Sequence, residues 1–410
     1  SLLVLTFTTL SAQQIYNDFN LFWKTDEGNS IADKNFGGFN FDYSLNSNAV
    51  TNNFLLEYAR EGFIDDDLKN ETGRRLKAEN RYGYQLFTSL SGKSAINEKV
   101  SIYAGLSARQ INAAKFSDDM FNLIFRGNKM FAGEYADLYP FRYFSTDFQS
   151  LTIGLEKKCL NNKLRIWGGL SGVRGGHFRS ATVYKGSLYT EPDGSYVETD
   201  INFRADITQG KPGLFGDYNG AGASLNGGAT FESGKSMFAF SVTDLGFVKW
   251  NNVKVYSGNS IYRFEGKEIN NLFSIDDSSF TSFDTDSVIK DAGIKVETDD
   301  VTSLLPAILK INYIYYHSPK IFLITGAQYI LKTSSLPRVY IRPVLKLNKN
   351  FYFHLEAAGG GFGRVDAEIG VSALVKNTLG VNLNLFAAEL IFAKSRTSGH
   401  GISFSLFKSF

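Results

Sequence analysis

Four histidines, a single cysteine, one glycine run and two acidic stretches are the places where this chain could do chemistry. His177, His317, His354 and His400 are scattered, and none lies in a nucleophile or metal motif. His354 stands two residues before Glu356, which puts both on one face of a strand. A Ser-His-acid hydrolase could be assembled from such groups, but serine is too common here to single one out. Water-facing His and Glu on a strand are the plainer reading. Gly359-Gly360-Gly361-Phe362-Gly363 has the look of a phosphate loop. It lacks the Lys-Ser/Thr of a P-loop and leads into a strand, so a hairpin or kinked strand fits better. Cys159 cannot form an intrachain disulfide and has no zinc spacing. Asp65-Asp66-Asp67 and the acids from Asp276 to Asp300 lack the spacing of a calcium loop and read as solvated charge. These residues predict no enzyme, no cofactor and no metal site.

The elements that carry these groups are more informative. From Leu336 to Phe410, every second residue is apolar. Val339, Ile341 and Leu345 alternate with Arg338, Tyr340, Arg342 and Lys346; Phe351, Phe353, Leu355 and Ala357 alternate with Tyr352, His354 and Glu356. Val365, Ala367, Ile369, Val371, Ala373 and Val375 alternate with Arg364, Asp366, Glu368, Ser372 and Lys376. A period of two places the two sets on opposite faces of a strand. Strands of roughly ten residues with one apolar and one charged face suit a wall with lipid outside and water inside. The predicted fold is all-β: a transmembrane antiparallel β-barrel of about 14 strands, with 12 or 16 as alternatives. Arg338, Arg342, Lys346, His354, Glu356, Arg364, Asp366 and Glu368 are its expected lumen-lining residues. The cations Arg338, Arg342, Lys346, Arg364 and Lys376 could form a basic strip suited to an anionic solute or an amphiphile's carboxylate. General lumen polarity is the bland alternative.

Composition agrees. A net charge of +2 gives no broad electrostatic case for nucleic acid. Aromatics reach 15%, with Phe (36) and Tyr (21) leading while Pro (7) is scarce, as in a membrane barrel with aromatic girdles. A large soluble sandwich could share that bias. The mean hydropathy of −0.15 excludes a polytopic helical protein but not a barrel, because half of each barrel strand is polar.

Along the chain, Ser1 to Gln13 reads as the tail of a secretory signal peptide, truncated at its start. Cleavage after Ala12 is plausible, although Leu10 is larger than usual at its position. Residues 14–80 form an expected N-terminal segment. In it, 35–45 is either a first strand or an inward-tucked piece. Asn52 to Glu61 changes to helical spacing after possible caps at Thr51 and Asn52, and Asp65 to Leu76 continues as a second, highly charged helix. This helical pair could plug the lumen, lie at its mouth, or cap the periplasmic side. Residues 81–410 form the barrel proper, with a helical interruption at Ser117 to Phe125 and a long acidic loop at about 262–303. Long loops belong outside the cell and short turns on the periplasmic side.

Some segments are familiar. Asp244-Leu245-Gly246-Phe247-Val248-Lys249-Trp250, after the Gly-rich hairpin from Ala223 to Val242, resembles a segment of an uncharacterised family of Bacteroidota outer-membrane barrels. Asn46 to Asn52 before a short helix, Asn80-Arg81-Tyr82-Gly83 and Leu304-Leu305-Pro306-Ala307 are similar to the same family. So is the last strand, in which Ile402, Phe404, Leu406 and Phe410 face one way and Ser403, Ser405 and Ser409 the other. Lys408 departs from that pattern. The resemblance implies a multi-pass barrel in the outer membrane of a Gram-negative cell, of a domain-of-unknown-function class, with no substrate or catalytic residue to carry over. More distantly, the plan is similar to long-chain fatty-acid transporter barrels and to barrels serving type IX secretion, an architectural analogy only. The expected function is passive uptake or binding of a small hydrophobic or amphiphilic molecule. The alternative is a non-transporting scaffold for secretion or surface-assembly proteins. Outer-membrane lipid, and barrel-assembly machinery during biogenesis, complete the expected partners.

Overall fold

The structure is a computed structural model that describes residues 35–60, 63–210, 213, 216–265, 292–375, 378–386 and 398–410. The signal-like segment 1–13 and the aromatic stretch 14–24 lie outside the described residues. The first strands are β1 (Phe36–Ser47), β2 (Asn80–Ala95), β3 (Val100–Phe116), β4 (Tyr135–Asp137), β5 (Phe141–Cys159) and β6 (Leu164–Thr190). Next come β7 (Val197–Ile207), β8 (Gly220–Ser233), β9 (Ser236–Phe264), β10 (Lys295–Leu304), β11 (Ile308–Tyr316) and β12 (Ile321–Ile330). The chain closes with β13 (Arg338–Asn348), β14 (Phe351–Gly359), β15 (Val365–Val375), β16 (Leu379–Phe386) and β17 (Gly399–Ser409).

β1 pairs antiparallel with both β2 and β17, which joins the two ends of the sheet. Of the two alternatives for 35–45, the first strand is realised: the wall begins at Phe36, inside the expected N-terminal segment. Three wall positions are each shared by two segments laid end to end. β4 continues β5 along β6, β7 continues β8 between β6 and β9, and β10 continues β11 along β9. The result is a closed antiparallel barrel of 14 strands. Connections at one end are short (96–99, 160–163, 234–235, 317–320, 349–350), and those at the other end include 48–79 and 117–140.

The alternation reads directly onto the two faces. Leu151, Ile153 and Leu155 of β5, Phe238 and Phe240 of β9, and Val339, Ile341 and Leu345 of β13 are exposed on the outside. Their inward neighbours are buried and joined side chain to side chain. Ser107 bonds Ser150 at 2.7 Å, Thr152 bonds Ser171 at 2.7 Å, and Asn226 donates to Ser171 at 2.6 Å. An arginine replacing Ile153 would put a charge in the middle of the apolar band. Ile153→Arg is expected to cost about 2–4 kcal/mol, read as a lower urea midpoint in lipid vesicles. An unchanged midpoint would mean that this band does not meet hydrocarbon.

Among the described residues, three helices stand at the long-connection end, each started by a side-chain cap. In α1 (Asn52–Ala59) Thr51 Oγ1 accepts from Phe54 N at 3.3 Å; in α2 (Asp66–Gly73) Asp65 accepts from Leu68 N at 2.8 Å. In α3 (Asp118–Arg126) Ser117 accepts from Met120 N at 3.0 Å. Phe54 meets Phe121 and Phe125 at centroid distances of 5.3 and 4.8 Å, and the cluster rests on Tyr82, Ala114 and Phe116. Tyr82 and Ala114 pair across an unbroken β2–β3 ladder, in phase with the exposed pair Leu90 and Leu106, so they belong to the outward face. The helical pair expected as a plug, mouth element or periplasmic cap thus packs against the outer side of the wall, at the end of the long connections.

The acidic segment read as one loop over about 262–303 is partly strand. β9 continues to Phe264, and Lys295–Leu304 runs antiparallel to it as β10, because Val296, Thr298 and Val301 extend the ladder despite the acids between them. Residues 266–291 lie outside the described residues.

Candidate functional site

The inward faces of β13, β14 and β15 bring ionised groups together by register. Ala357 pairs with Ile341 and Ala367, and Glu356 lies directly opposite Glu368. Two carboxylates facing each other across neighbouring strands repel unless a cation stands between them. Arg342 does so: its Nη2 is 2.7 Å from Glu356 Oε2 and 3.2 Å from Glu368 Oε1. Arg338 repeats the arrangement one step up, with Nη2 2.7 Å from both Glu356 Oε1 and Asp366 Oδ1. His354 Nε2 lies 3.2 Å from Glu368 Oε1, and Asn46 of β1 donates to Asp366 at 3.2 Å. The fork of a guanidinium, with donors in a fixed plane, is what lets one cation hold two carboxylates.

Two further ion pairs cross the interior. Arg109 of β3 reaches Asp244 of β9 at 3.0 Å, both almost fully buried, and lies over the Phe87 ring at 4.8 Å. Lys93 of β2 reaches Glu156 of β5 at 3.3 Å, with Arg165 of β6 at 3.9 Å. Nearer the short turns the inside is apolar and packed, with Met237, Ile314, Phe322, Val344, Tyr352, Leu374 and Phe407 in contact. Toward the long connections Phe362, from the glycine run, enters the barrel and packs on Ile111, Ala113 and Ile330. Gly83 makes room for it: a Cβ there would lie 2.1 Å from the Phe362 ring. Beneath Phe362 remains a cavity of about 160 Å³, lined by Asp42, Gln85, Lys310, Arg338, Glu368 and Asn384 among others.

The family of unknown function DUF5723 matches residues 31–397. This chain belongs to DUF5723. A search among curated proteins finds no match. Among solved structures, a deltaS2S3 mutant of the monoaromatic hydrocarbon channel TodX aligns with TM-score 0.49 and 9% identity over 92% of this chain and 91% of that one. A Pseudomonas aeruginosa FadL homologue aligns with TM-score 0.46 and 9% identity over 95% of each chain. The translocator domain of the autotransporter NalP from Neisseria meningitidis gives 0.32 and 8% over 92% and 88%. At these levels the likeness concerns the course of the chain, and the DUF5723 site is read from its own residues.

Of the residues the sequence singled out, Arg338, Arg342, His354, Glu356, Asp366 and Glu368 of the DUF5723 chain form the single cluster above. Lys346 stands apart, its ammonium 5.8 Å from the Tyr352 ring. Arg364 is exposed in the connection after β14 and donates to the Arg75 carbonyl at 2.7 Å. The basic strip considered from the sequence is not assembled: Arg338 and Arg342 are each spent on two carboxylates, and Lys376 lies outside the described residues. Sequence reasoning missed Lys93, Asp244, Asn384 and Phe362 as interior residues of consequence. The signal for Lys93 was present, since it falls in phase with the inward set Gln85, Phe87, Ser89 and Ser91. Asp244 hid behind a bulge that shifts the phase between Leu225 and Gly227 of β8.

Proposed function

We propose that this chain spans the outer membrane and admits a small amphiphilic molecule to the cavity beneath Phe362. The apolar outer band and the division into long and short ends support the location. So does a last strand that turns Ile402, Phe404 and Leu406 outward. The observation that carries the solute reading is the two-sided cavity: Ile308, Ile330, Leu336 and Phe362 supply apolar wall, and Arg338, Glu368 and Asn384 a polar one. An apolar pocket with a few convergent polar groups is how small-molecule sites are built. Transfer is passive, with lumen side chains setting selectivity.

The test is a liposome-swelling and lipid-uptake assay with the full chain and with Phe362→Ala. The variant is expected to raise solute flux several-fold, because the ring is withdrawn from between β2 and β12. It should also destabilise the barrel by about 3–5 kcal/mol. No flux and no bound amphiphile in either protein would sink the reading. The packed interior around Met237 and Phe407 favours a second reading, a barrel that scaffolds other proteins and moves nothing. Crosslinking in native membranes then recovers stoichiometric protein partners, whereas a transporter comes up alone.

A further inference from the structure

Each of the five short turns at one end of the barrel carries an exposed lysine: Lys99 in 96–99, Lys163 in 160–163, Lys235 in 234–235, Lys320 in 317–320 and Lys349 in 349–350. These turns join β2 to β3, β5 to β6, β8 to β9, β11 to β12 and β13 to β14, so the lysines recur at every second wall position. Lys408 carries the series to the seam where β17 meets β1. It is exposed, in phase with the outward Ile402 and Leu406, and its ammonium lies 5.6 Å from the centre of the Phe410 ring. Lys157 joins them from β5, two residues beyond the outward Leu155. The departure of Lys408 from the apolar pattern of the last strand is thus one member of a ring.

Little opposes this charge. Among the described residues, none of the seven ammonium groups has a carboxylate within ion-pair distance. The neighbouring acidic side chains are Glu98, in the first turn, and Glu232, in phase with the inward Thr230; Glu156 is already held by Lys93. The opposite end differs, with both signs side by side: Asp118, Asp119, Glu134 and Asp137 share the connection 117–140 with Arg126 and Lys129.

The depth of the ring follows from the rings of another kind beside it. Phe231 and Phe238 pair across β8 and β9 on the outward face, and Tyr313 of β11 lies 5.0 Å from Phe238. Tyr315 pairs with Ser236, the residue after Lys235. All four aromatic side chains are exposed. Such a belt marks the boundary between hydrocarbon and water, and the lysines stand just beyond it, at the level of lipid headgroups. A lysine there lays its methylenes along the apolar wall and carries its ammonium into the headgroup layer. A protein partner docks on one side of a barrel. Only a surface that surrounds the barrel meets lysines spaced round its circumference, and the apolar outer band continues directly into them.

We propose that the lysine ring binds the phosphate groups of anionic phospholipid in the leaflet on the short-turn side, so that the barrel gathers such lipid around its base. This rests on the reading that the chain spans the outer membrane, and it names the lipid that the base prefers.

The test is electron paramagnetic resonance of the full chain folded in phosphatidylcholine vesicles, with trace spin-labelled phosphatidylglycerol or spin-labelled phosphatidylcholine as the probe. The native chain is expected to take up phosphatidylglycerol about three- to tenfold more strongly, because each cation near the surface adds to the attraction. The combined variant Lys99→Gln, Lys163→Gln, Lys235→Gln, Lys320→Gln and Lys349→Gln should bring the ratio close to one. Lys129→Gln with Lys254→Gln, away from the short turns, should leave it unchanged. Sodium chloride at about 0.5 M should abolish the preference of the native chain. If the fivefold variant fails to fold, Lys235→Gln with Lys320→Gln carries the test and should lower the ratio by a large fraction. Equal uptake of the two lipids overturns the proposal, and is the result expected if the ring holds an acidic protein instead. So does a preference that the turn variants leave unchanged, that the Lys129 and Lys254 variant lowers equally, or that survives the salt. Motionally restricted lipid without a preference leaves the membrane reading standing and removes only this inference. No restricted lipid at all removes both.

Discussion

Glu356→Ala is expected to destabilise the barrel by about 3–5 kcal/mol, because it takes one of two carboxylates away from each of two partly buried guanidinium groups at once. Glu356 is 2% exposed and holds Arg338 through one oxygen and Arg342 through the other, each at 2.7 Å. Arg342 keeps Glu368, and Arg338 keeps Asp366, so the cluster loosens around its centre. The measurement is the urea midpoint of heat-modifiable migration for the protein folded in vesicles. The double variant Glu356→Ala with Arg342→Met should lose more than the single one, since Arg342 is also the partner of Glu368. A single variant within 1 kcal/mol of the native chain would mean that the cluster is not what holds β13 to β15 in register.

Asp244→Ala is expected to have an effect of similar size through a different mechanism. Asp244 sits at φ 57°, where β8 and β9 slip register, and its own N–H donates to Asn226 at 2.7 Å. On the other edge of β9, the wall passes from β10 to β11 through Leu305 to Ala307, with Leu305 N bonded to Gly246 O at 2.9 Å. Three neighbouring wall positions are therefore irregular at one level. The Arg109–Asp244 pair ties that level to β3 through the interior. Removing the carboxylate leaves Arg109 buried without it, at about 3–5 kcal/mol. Faster protease cutting near Leu305 should accompany the loss. Asp244→Asn, which keeps the shape and tolerates positive φ, should cut more slowly than Asp244→Ala. Equal cutting in the native chain and both variants would show that the wall holds there without the tie.

The sequence was most legible where one face is uniformly apolar and strands are short. β13 to β17 follow the alternation almost residue for residue, and α1 begins after Thr51, one of the two caps its sequence offered. It was least legible where strands outrun any apolar band. β6 has 27 residues and β9 has 29, and their upper parts carry mixed residues on both faces because ladder pairing, not lipid, holds them. The polar face told which residues point inward but not how they pair. Arg338 and Arg342 looked like free cations until the register of β14 and β15 put three carboxylates within reach. Phe362 was hidden for another reason: glycines on both sides permit many paths, and Gly83, 279 positions away, decides which one is filled.

The unequal strand lengths also bear on how anything arrives from outside. β9, with its 29 residues, has a contour of roughly 95 Å, against roughly 30 Å for the nine residues of β14, at about 3.3 Å per residue. The rim is therefore slanted, low over β12 to β16 and high over β6 to β9. The tall flank rises beside one half of the long-connection end, and Phe362 lies on the opposite, low side. On the proposed function, a solute would therefore meet Phe362 from the low side of the rim.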